Sequence, residues 1–291
     1  APIPQTGKYA VYIAYRTVKN STDDALYTVY HKGGKTQFKV NQSMGGGTWI
    51  YLGHFDFAKG ENAHVELSNL SRKNGKTVTA DAVKIGGGYG NIARRVDDSH
   101  IDENPGNSSI NYSYTTSGYP RFTEAARYWL QWAGFPEKVY SPSQGKNDYT
   151  DDYKCRGEWV NYLAGSSDIL PDSSGLNVPL DLAFAFHSDA GTTKNDSIIG
   201  SLGIYFTGKG KKTYGKNTPR QVSRYLTDVV LTQIADDIRE TYEPEWNRRG
   251  MWNKSYFEAR VPEVPTMLLE LLSHQNFADM RYGSDPRFKF L

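Results

Sequence analysis

The chain holds a single cysteine, Cys155, in 291 residues, so no disulfide can close within it. Stability must then come from core packing. No apolar run approaches the ~18 residues of a membrane-spanning helix, so no membrane span is expected. Neither sign of charge prevails, with 34 Lys and Arg against 32 Asp and Glu. A dedicated nucleic-acid binder carries a clustered basic excess, so no nucleic-acid partner is expected. The opening Ala1-Pro2-Ile3-Pro4 lacks the basic and apolar regions of a signal peptide. The run Gly86-Gly87-Gly88-Tyr89-Gly90 lacks the Lys-Ser or Lys-Thr of a phosphate loop and reads as a flexible exit from the domain before it.

Aromatic residues are plentiful, with 21 Tyr, 12 Phe and 6 Trp, a composition that suits extracellular and carbohydrate-facing proteins. The length allows two domains, and the patterning changes once along the chain. Residues 8–86 read as all-β. Tyr9 to Tyr15 alternate with period two. Leu26 to His31 and Lys35 to Val40 flank Lys32-Gly33-Gly34, a hairpin signal. Trp49, Tyr51 and Phe55 mark a further strand interrupted at Gly53. His64 to Leu67 and Thr77 to Ile85 follow, with Asn74-Gly75 as a turn. Short strands at this spacing predict a β-sandwich of jelly-roll type. Tyr27, Tyr30 and Trp49 are either sugar-stacking rings or core.

Residues 87–117 are polar and weakly patterned, a linker or long surface loop containing His100, Asp102 and Glu103. From 118 to 291 helical and strand patterns alternate. Phe122 to Ala133 reads as a helix ended by Gly134, Val139-Tyr140 as a short strand, and Asp151 to Leu163 as a helix. Ile198 to Phe206 reads as a strand, and Pro219 to Tyr242 as the longest helix. That helix carries an apolar stripe of Val222, Tyr225, Leu226, Val229, Val230, Ile234 and Ile238. The alternation predicts a three-layer α/β domain with a largely parallel sheet. Gly208 to Lys216 is a basic loop, either a contact for an acidic polymer or a solvated charge run. Cys155 lies between Lys154 and Arg156, which favours a lowered thiol pKa or is incidental.

The chemistry converges on Leu180 to Gly191, LDLAFAFHSDAG, a buried-strand pattern that ends in His187. Ligands of open α/β sheets bind at the carboxyl ends of strands. His187 is therefore offered to a crevice, or else caps the strand. Thr266 to Leu269 is a second short buried strand, and Glu270 stands at its end. A His and an acid on two strand tips make a metal-and-base pair.

At these residues the chain resembles the zinc-dependent N-acetylmuramoyl-L-alanine amidases of the type-3 family, which cut peptidoglycan. Phe186-His187-Ser188-Asp189-Ala190 resembles the strand carrying a zinc-binding His. Pro265 to Glu270 resembles the strand ending in the catalytic Glu, and Ser273 to Asp279 the Ser/Asn/Asp segment after it. Arg249-Gly250 and the helix with Arg156 and Asn161 complete the set. The resemblance implies His187 as a zinc ligand and Glu270 as the general base. It departs in lacking a His-Gly-His-type turn and the ligand Glu after it. The domain is therefore expected to lack the family's first strand and helix, which would belong to a segment upstream of residue 1. His100, Glu103 and His274 are the candidates for the missing ligands.

Residues 8–85 resemble the golvesin and xanthan-lyase type carbohydrate-binding module. The resemblance runs through Tyr9-Ala10-Val11-Tyr12, then Gly47 to Gly53, then Ala80-Asp81-Ala82-Val83. It implies a polysaccharide or peptidoglycan partner and a secreted, periplasmic or cell-surface bacterial protein. Three functions follow: a cell-wall zinc hydrolase with an incomplete catalytic unit, a non-catalytic polysaccharide binder, and a polysaccharide lyase.

Overall fold

The structure, a computed structural model, describes residues 2–86, 121–123, 125–190, 196–208, 212–215 and 217–288. The linker with His100, Asp102 and Glu103 lies outside them, as do residues 209–211 and 216 of the basic loop. The chain forms two compact units, residues 1–155 with 174–178, and residues 156–173 with 179–291.

The first unit opens with six strands: β1 (Gly7–Ala14), β2 (Ala25–His31), β3 (Gly34–Val40), β4 (Ile50–Phe57), β5 (His64–Ser68) and β6 (Ala82–Ile85). They form two antiparallel three-stranded sheets, ordered β4-β1-β6 and β3-β2-β5. Residues 20–80 contain no helix. Alternation in β1 sends Val11 and Ile13 inward, both at 0% exposure, against Val29, Phe57, Ala25 and Tyr27. Each fully buried large apolar side chain contributes roughly 1.5–3 kcal/mol. A bulge where Val11 pairs Gly53 and Tyr12 pairs Tyr51 leaves Leu52 unpaired. Pairs across β1 then put Tyr51 and His54, three residues apart, on one outward face with Tyr12.

Among the described residues a 3-10 turn (Arg121–Thr123), α1 (Ala126–Trp132), α2 (Glu137–Tyr140) and the start of α3 (Asp148–Ala164) follow in this unit. The expected strand at Val139-Tyr140 is α2. Extended Pro136 caps its start, no neighbouring strand offers a ladder, and Val139 is buried from the helix. Arg127, 1% exposed, donates to Asp148 Oδ1 at 2.8 Å and to the Tyr140 carbonyl at 3.4 Å.

The second unit contains β7 (Ala183–Asp189), β8 (Ser201–Tyr205), β9 (Thr213–Tyr214), β10 (Thr218–Pro219), α4 (Gln221–Thr241), β11 (Arg248–Asn253), α5 (Phe257–Arg260), β12 (Thr266–Ser273) and α6 (Phe277–Gly283). Four strands form one sheet, ordered β11-β8-β12-β7. The sheet is mixed, not largely parallel: β11 with β8 and β12 with β7 are parallel, while β8 and β12 are antiparallel. A helical crossover accounts for one of the two parallel pairs. A parallel neighbour needs a crossover of a dozen or more residues, usually helical. The 21-residue α4 supplies one between β8 and β11. The link from β11 to β12 holds only the four-residue α5, and β12 runs the other way.

Helix α4 covers one face of the sheet, where Leu231 meets Met267 and Leu269. Leu202, Ile204, Leu268 and Ala185 form a second cluster on the other face. The buried stripe of α4 is Ser223, Thr227, Leu231, Ala235 and Ile238. Val222, Tyr225 and Val229, expected inside, are 37%, 59% and 70% exposed. At Gly203 the helix comes too close to the sheet for a large side chain: a Cβ added there would sit 2.4 Å from Thr227 Cγ2.

Candidate active site

The sheet brings the two predicted site residues together. In the parallel pairing of β7 with β12, Leu268 is opposite Ala185 and Glu270 is opposite His187. Adjacent strands lie about 4.8 Å apart, and registered residues share a face. Glu270 also pairs with Leu202 of β8. Its side chain therefore emerges beside the cluster of Leu202, Leu268 and Ala185, on the face away from α4.

Two further groups meet them there. Glu258 of α5 places Oε2 3.0 Å from His187 Nε2. Arg156 of α3 places Nη1 3.4 Å from the same oxygen. The Glu258 hydrogen bond, helped by the nearby carboxylates, raises the His187 pKa against the opposing pull of burial. Glu270 differs: its Oε2 is buried and, among the described residues, has no hydrogen-bond partner. Burial is the main cause that raises its pKa, and the carboxylates of Asp189 and Glu258 add to this. His187 and Arg249 work in the opposite sense. Arg249 is itself committed, with Nη1 donating to Asp189 Oδ2 at 2.7 Å.

The other singled-out residues hold this arrangement in place. Asn161 donates to the Val261 carbonyl at 3.0 Å and accepts from the Glu263 amide at 2.8 Å, pinning the chain after α5. A Cβ at Gly157 would meet Val261 and Phe257 at 3.2–3.3 Å, so α3 approaches α5 closely there. Asp279 is fully buried and accepts from the amides of Ile199 and Ser273, both at 2.8 Å, tying the start of β8 to the end of β12. The Ser273 to Asp279 segment thus has a structural task.

His274 lies at the same strand end but turns elsewhere. Its Nδ1 is 3.0 Å from Ser188 Oγ, and its amide donates to the Asp189 carbonyl at 3.1 Å. Ser188 faces the opposite side of β7 from His187. Among the described residues no group of three or more His, Cys, Asp or Glu is arranged to hold a metal ion. A catalytic zinc usually keeps three protein ligands, and His187 Nε2 is directed at Glu258. The described residues alone therefore do not fit a zinc centre. Cys155 is buried, and its Sγ donates to the Asp152 carbonyl at 3.0 Å.

Of the sandwich aromatics, Tyr27 is 3% exposed, and its hydroxyl accepts from Gln42. Tyr30 stacks on His64 with centroids 4.4 Å apart and donates to Glu66 at 3.1 Å. Trp49 is half-buried, with Lys84 Nζ 4.5 Å from its ring centroid. Glu258 and Lys84 are the participants that sequence reasoning missed. Glu258 sits in a four-residue helix with no motif around it, and only its sign, opposite to Arg156, hinted at a pairing.

Comparison with known proteins bears on the sandwich. Residues 1–87 match the family Golvesin C-terminal domain. Xanthan lyase of Bacillus sp. (strain GL1) is 36% identical over 85 residues, which are 28% of this chain and 9% of that protein. The solved structure of Paenibacillus xanthan lyase is 31% identical over 29% of this chain and 8% of that one, with a TM-score of 0.26. The chain therefore spans under a tenth of the length of either relative. The family match and the identity to the Bacillus protein support the golvesin and xanthan-lyase part of the resemblance read from the sequence. Among the described residues no helix is long and apolar enough to cross a membrane.

Proposed function

We propose that this chain is a polysaccharide-directed protein of a bacterial exterior, secreted, periplasmic or at the cell surface. In this reading its golvesin-type sandwich holds the polymer, and its second unit acts on an amide bond of cell-wall type through Glu270. The observation that carries the catalytic half is the buried, unpartnered Oε2 of Glu270 beside His187. Buried polar atoms are almost always hydrogen-bonded. A carboxyl kept short of donors and raised in pKa is suited to exchange a proton with a bound substrate or water.

The roles follow from the surroundings. Glu270 takes a proton from the attacking water and returns it to the leaving nitrogen. His187, made more basic by Glu258, supplies positive charge beside the oxygen that becomes negative in the transition state. Arg156 and Asn161 position Glu258 by holding α5. No role is assigned to zinc, because the described residues do not offer three ligands.

A second reading, a non-catalytic polysaccharide binder, draws on the same ion pairs. His187, Glu258 and Arg156 satisfy one another, as they would in a purely structural network. A lyase reading draws only on the relatives' names. The deciding experiment incubates the protein with peptidoglycan and with acidic and neutral polysaccharides. New amino groups released by the native chain but not by Glu270→Gln support the hydrolase. Ultraviolet-absorbing unsaturated sugars support the lyase. Binding without any product leaves the binder.

A further inference from the structure

We propose that Lys84, with the rings of Tyr12, Tyr51, Trp49 and Trp132, forms a subsite for a carboxylate-bearing sugar of an acidic polysaccharide. The proposal rests on the reading of the sandwich as a polysaccharide module, and it names the class of polymer and the residues that take it.

Register places three of these residues in one row. Tyr12 of β1 pairs with Tyr51 of β4 on one side and with Lys84 of β6 on the other. All three project from the outer face of the sheet, since Val11 and Ile13 face the core. Trp132, at the end of α1, meets the Tyr12 ring edge-on, with centroids 4.4 Å apart at 82°. Phe122 stacks behind Trp132 at 4.3 Å and fixes its plane. Lys84 Nζ lies 3.6 Å from the centroid of Trp132, 4.5 Å from Trp49 and 5.0 Å from Tyr12.

The ammonium is held but not satisfied. It has three N–H donors, and one reaches the Trp132 carbonyl at 3.2 Å. That bond caps the last turn of α1, which is a structural task. The rings attract the charge without accepting hydrogen bonds in the way an oxygen does. Among the described residues no carboxylate pairs with Lys84. A ligand carboxylate has two oxygens for the two remaining donors, and charge-assisted bonds of this kind are strong. Tyr51, 48% exposed, lies at the other end of the row. It is two strand spacings from Lys84, about 10 Å. A polymer lying across the strands would stack a sugar on Tyr51 and bring an acidic neighbour to Lys84.

The groups facing Lys84 leave its charge free to decide binding. Tyr12 is neutral, its pKa pushed up to about 12 by burial. Tyr51 is hydrogen-bonded to His54, three residues on along β4. Trp49 and Trp132 carry no charge. Burial lowers the Lys84 pKa to about 8. The cation is present below that pH and lost above it, so carboxylate binding should weaken between about pH 7 and 9. An ordinary lysine, at about 10.4, would show no change there.

The test is calorimetric titration of the full chain with polygalacturonate and alginate, each beside its carboxyl-reduced form. The acidic forms are expected to bind about ten- to a hundredfold tighter. Lys84→Met, which keeps the apolar stem over the rings, should reduce them to the affinity of the reduced forms. Lys84→Arg should keep most of the preference, and near-ultraviolet circular dichroism should show the tryptophans undisturbed in both variants. Equal binding of acidic and reduced polymers, or full binding by a folded Lys84→Met protein, overturns the subsite while the module stands. Absence of binding to all four polymers overturns the polysaccharide reading and the subsite with it.

Discussion

His187 and Glu270 stand opposite each other on adjacent parallel strands, yet they do not satisfy one another. The imidazole nitrogen Nε2 turns to Glu258 at 3.0 Å, and the Glu270 oxygen Oε2 meets no donor among the described residues. Two acids flank one histidine in different surroundings. One is engaged by His187 and Arg156, and the other is pushed toward its neutral form by burial. In the proposed hydrolase this division makes Glu258 the positioning acid and Glu270 the reacting one.

Glu270→Gln is expected to lower turnover on an amide substrate by on the order of 10²- to 10⁴-fold, the usual worth of a general acid–base. Stability should not fall, because the variant removes a carboxylate whose burial is unfavourable. Parallel kinetics and thermal melts check both halves. A variant with full activity would take the proton transfer away from Glu270.

Glu258→Gln should cost about 1–2 kcal/mol in chemical denaturation, since it exchanges a charged hydrogen bond for a neutral one. His187→Asn should cost a similar amount. The double variant should cost less than the two together, because both remove one interaction. Strict additivity would mean that the pair does not form in solution.

Gly203→Ala should destabilise the second unit by about 1–3 kcal/mol, the typical cost of overpacking. The added Cβ would meet Thr227 Cγ2 at 2.4 Å. Gly203→Ala combined with Thr227→Ser, which removes that methyl group, should recover much of the loss. Melting temperatures of the three variants decide it.

Asp24 gives the sandwich an acid-sensitive joint. It accepts from Thr22 at 2.5 Å, Ser71 at 2.7 Å and the Arg72 amide at 3.0 Å, and these bonds lower its pKa to about 2. The folded value lies below the unfolded one of about 3.9. The stabilisation is therefore complete above pH 4 and disappears as pH falls through about 2. Asp24→Asn should melt lower than the native chain at pH 6, and the gap should narrow toward pH 2. A gap that is constant with pH would show that the carboxylate charge is not what matters.

Local signals carried far into the structure. The hairpin around Gly33-Gly34, the strand ending in His187 and the ends of the long helix were all legible, because each depends on nearby residues. The register of His187 with Glu270 follows two short apolar runs, but the run before His187, expected to be buried, is an edge strand with Leu182, Phe184 and Phe186 exposed, and the strands continue past both residues to Asp189 and Ser273. The inner face of α4 was misread. Hydrophobic periodicity favours large apolar residues, while the buried stripe includes Ser223, Thr227 and Ala235, with Thr227 set against Gly203. Glu258 and Lys84 were missed for a related reason. What distinguishes them is a partner on another element, and no spacing along the chain encodes that.

Strand β7 lies at the edge of its sheet, paired only to β12 among the described residues. Phe184 and Phe186, on the same face as Met267 and Leu269, are still 46% and 64% exposed. An edge strand with so little covering opens at lower free energy than the centre of a sheet. Its ladder joins segments far apart in the chain, and such contacts form late in folding. The histidine thus rides on a margin of the domain, while the glutamate is carried by a central strand. Fraying of β7 would separate the two without unfolding β8, β11 or α4. Amide exchange in residues 183–189 should therefore run ahead of that in 266–273. A ligand that bridges His187 and Glu270 would close the gap between those rates, as a clasp holding the sheet edge shut.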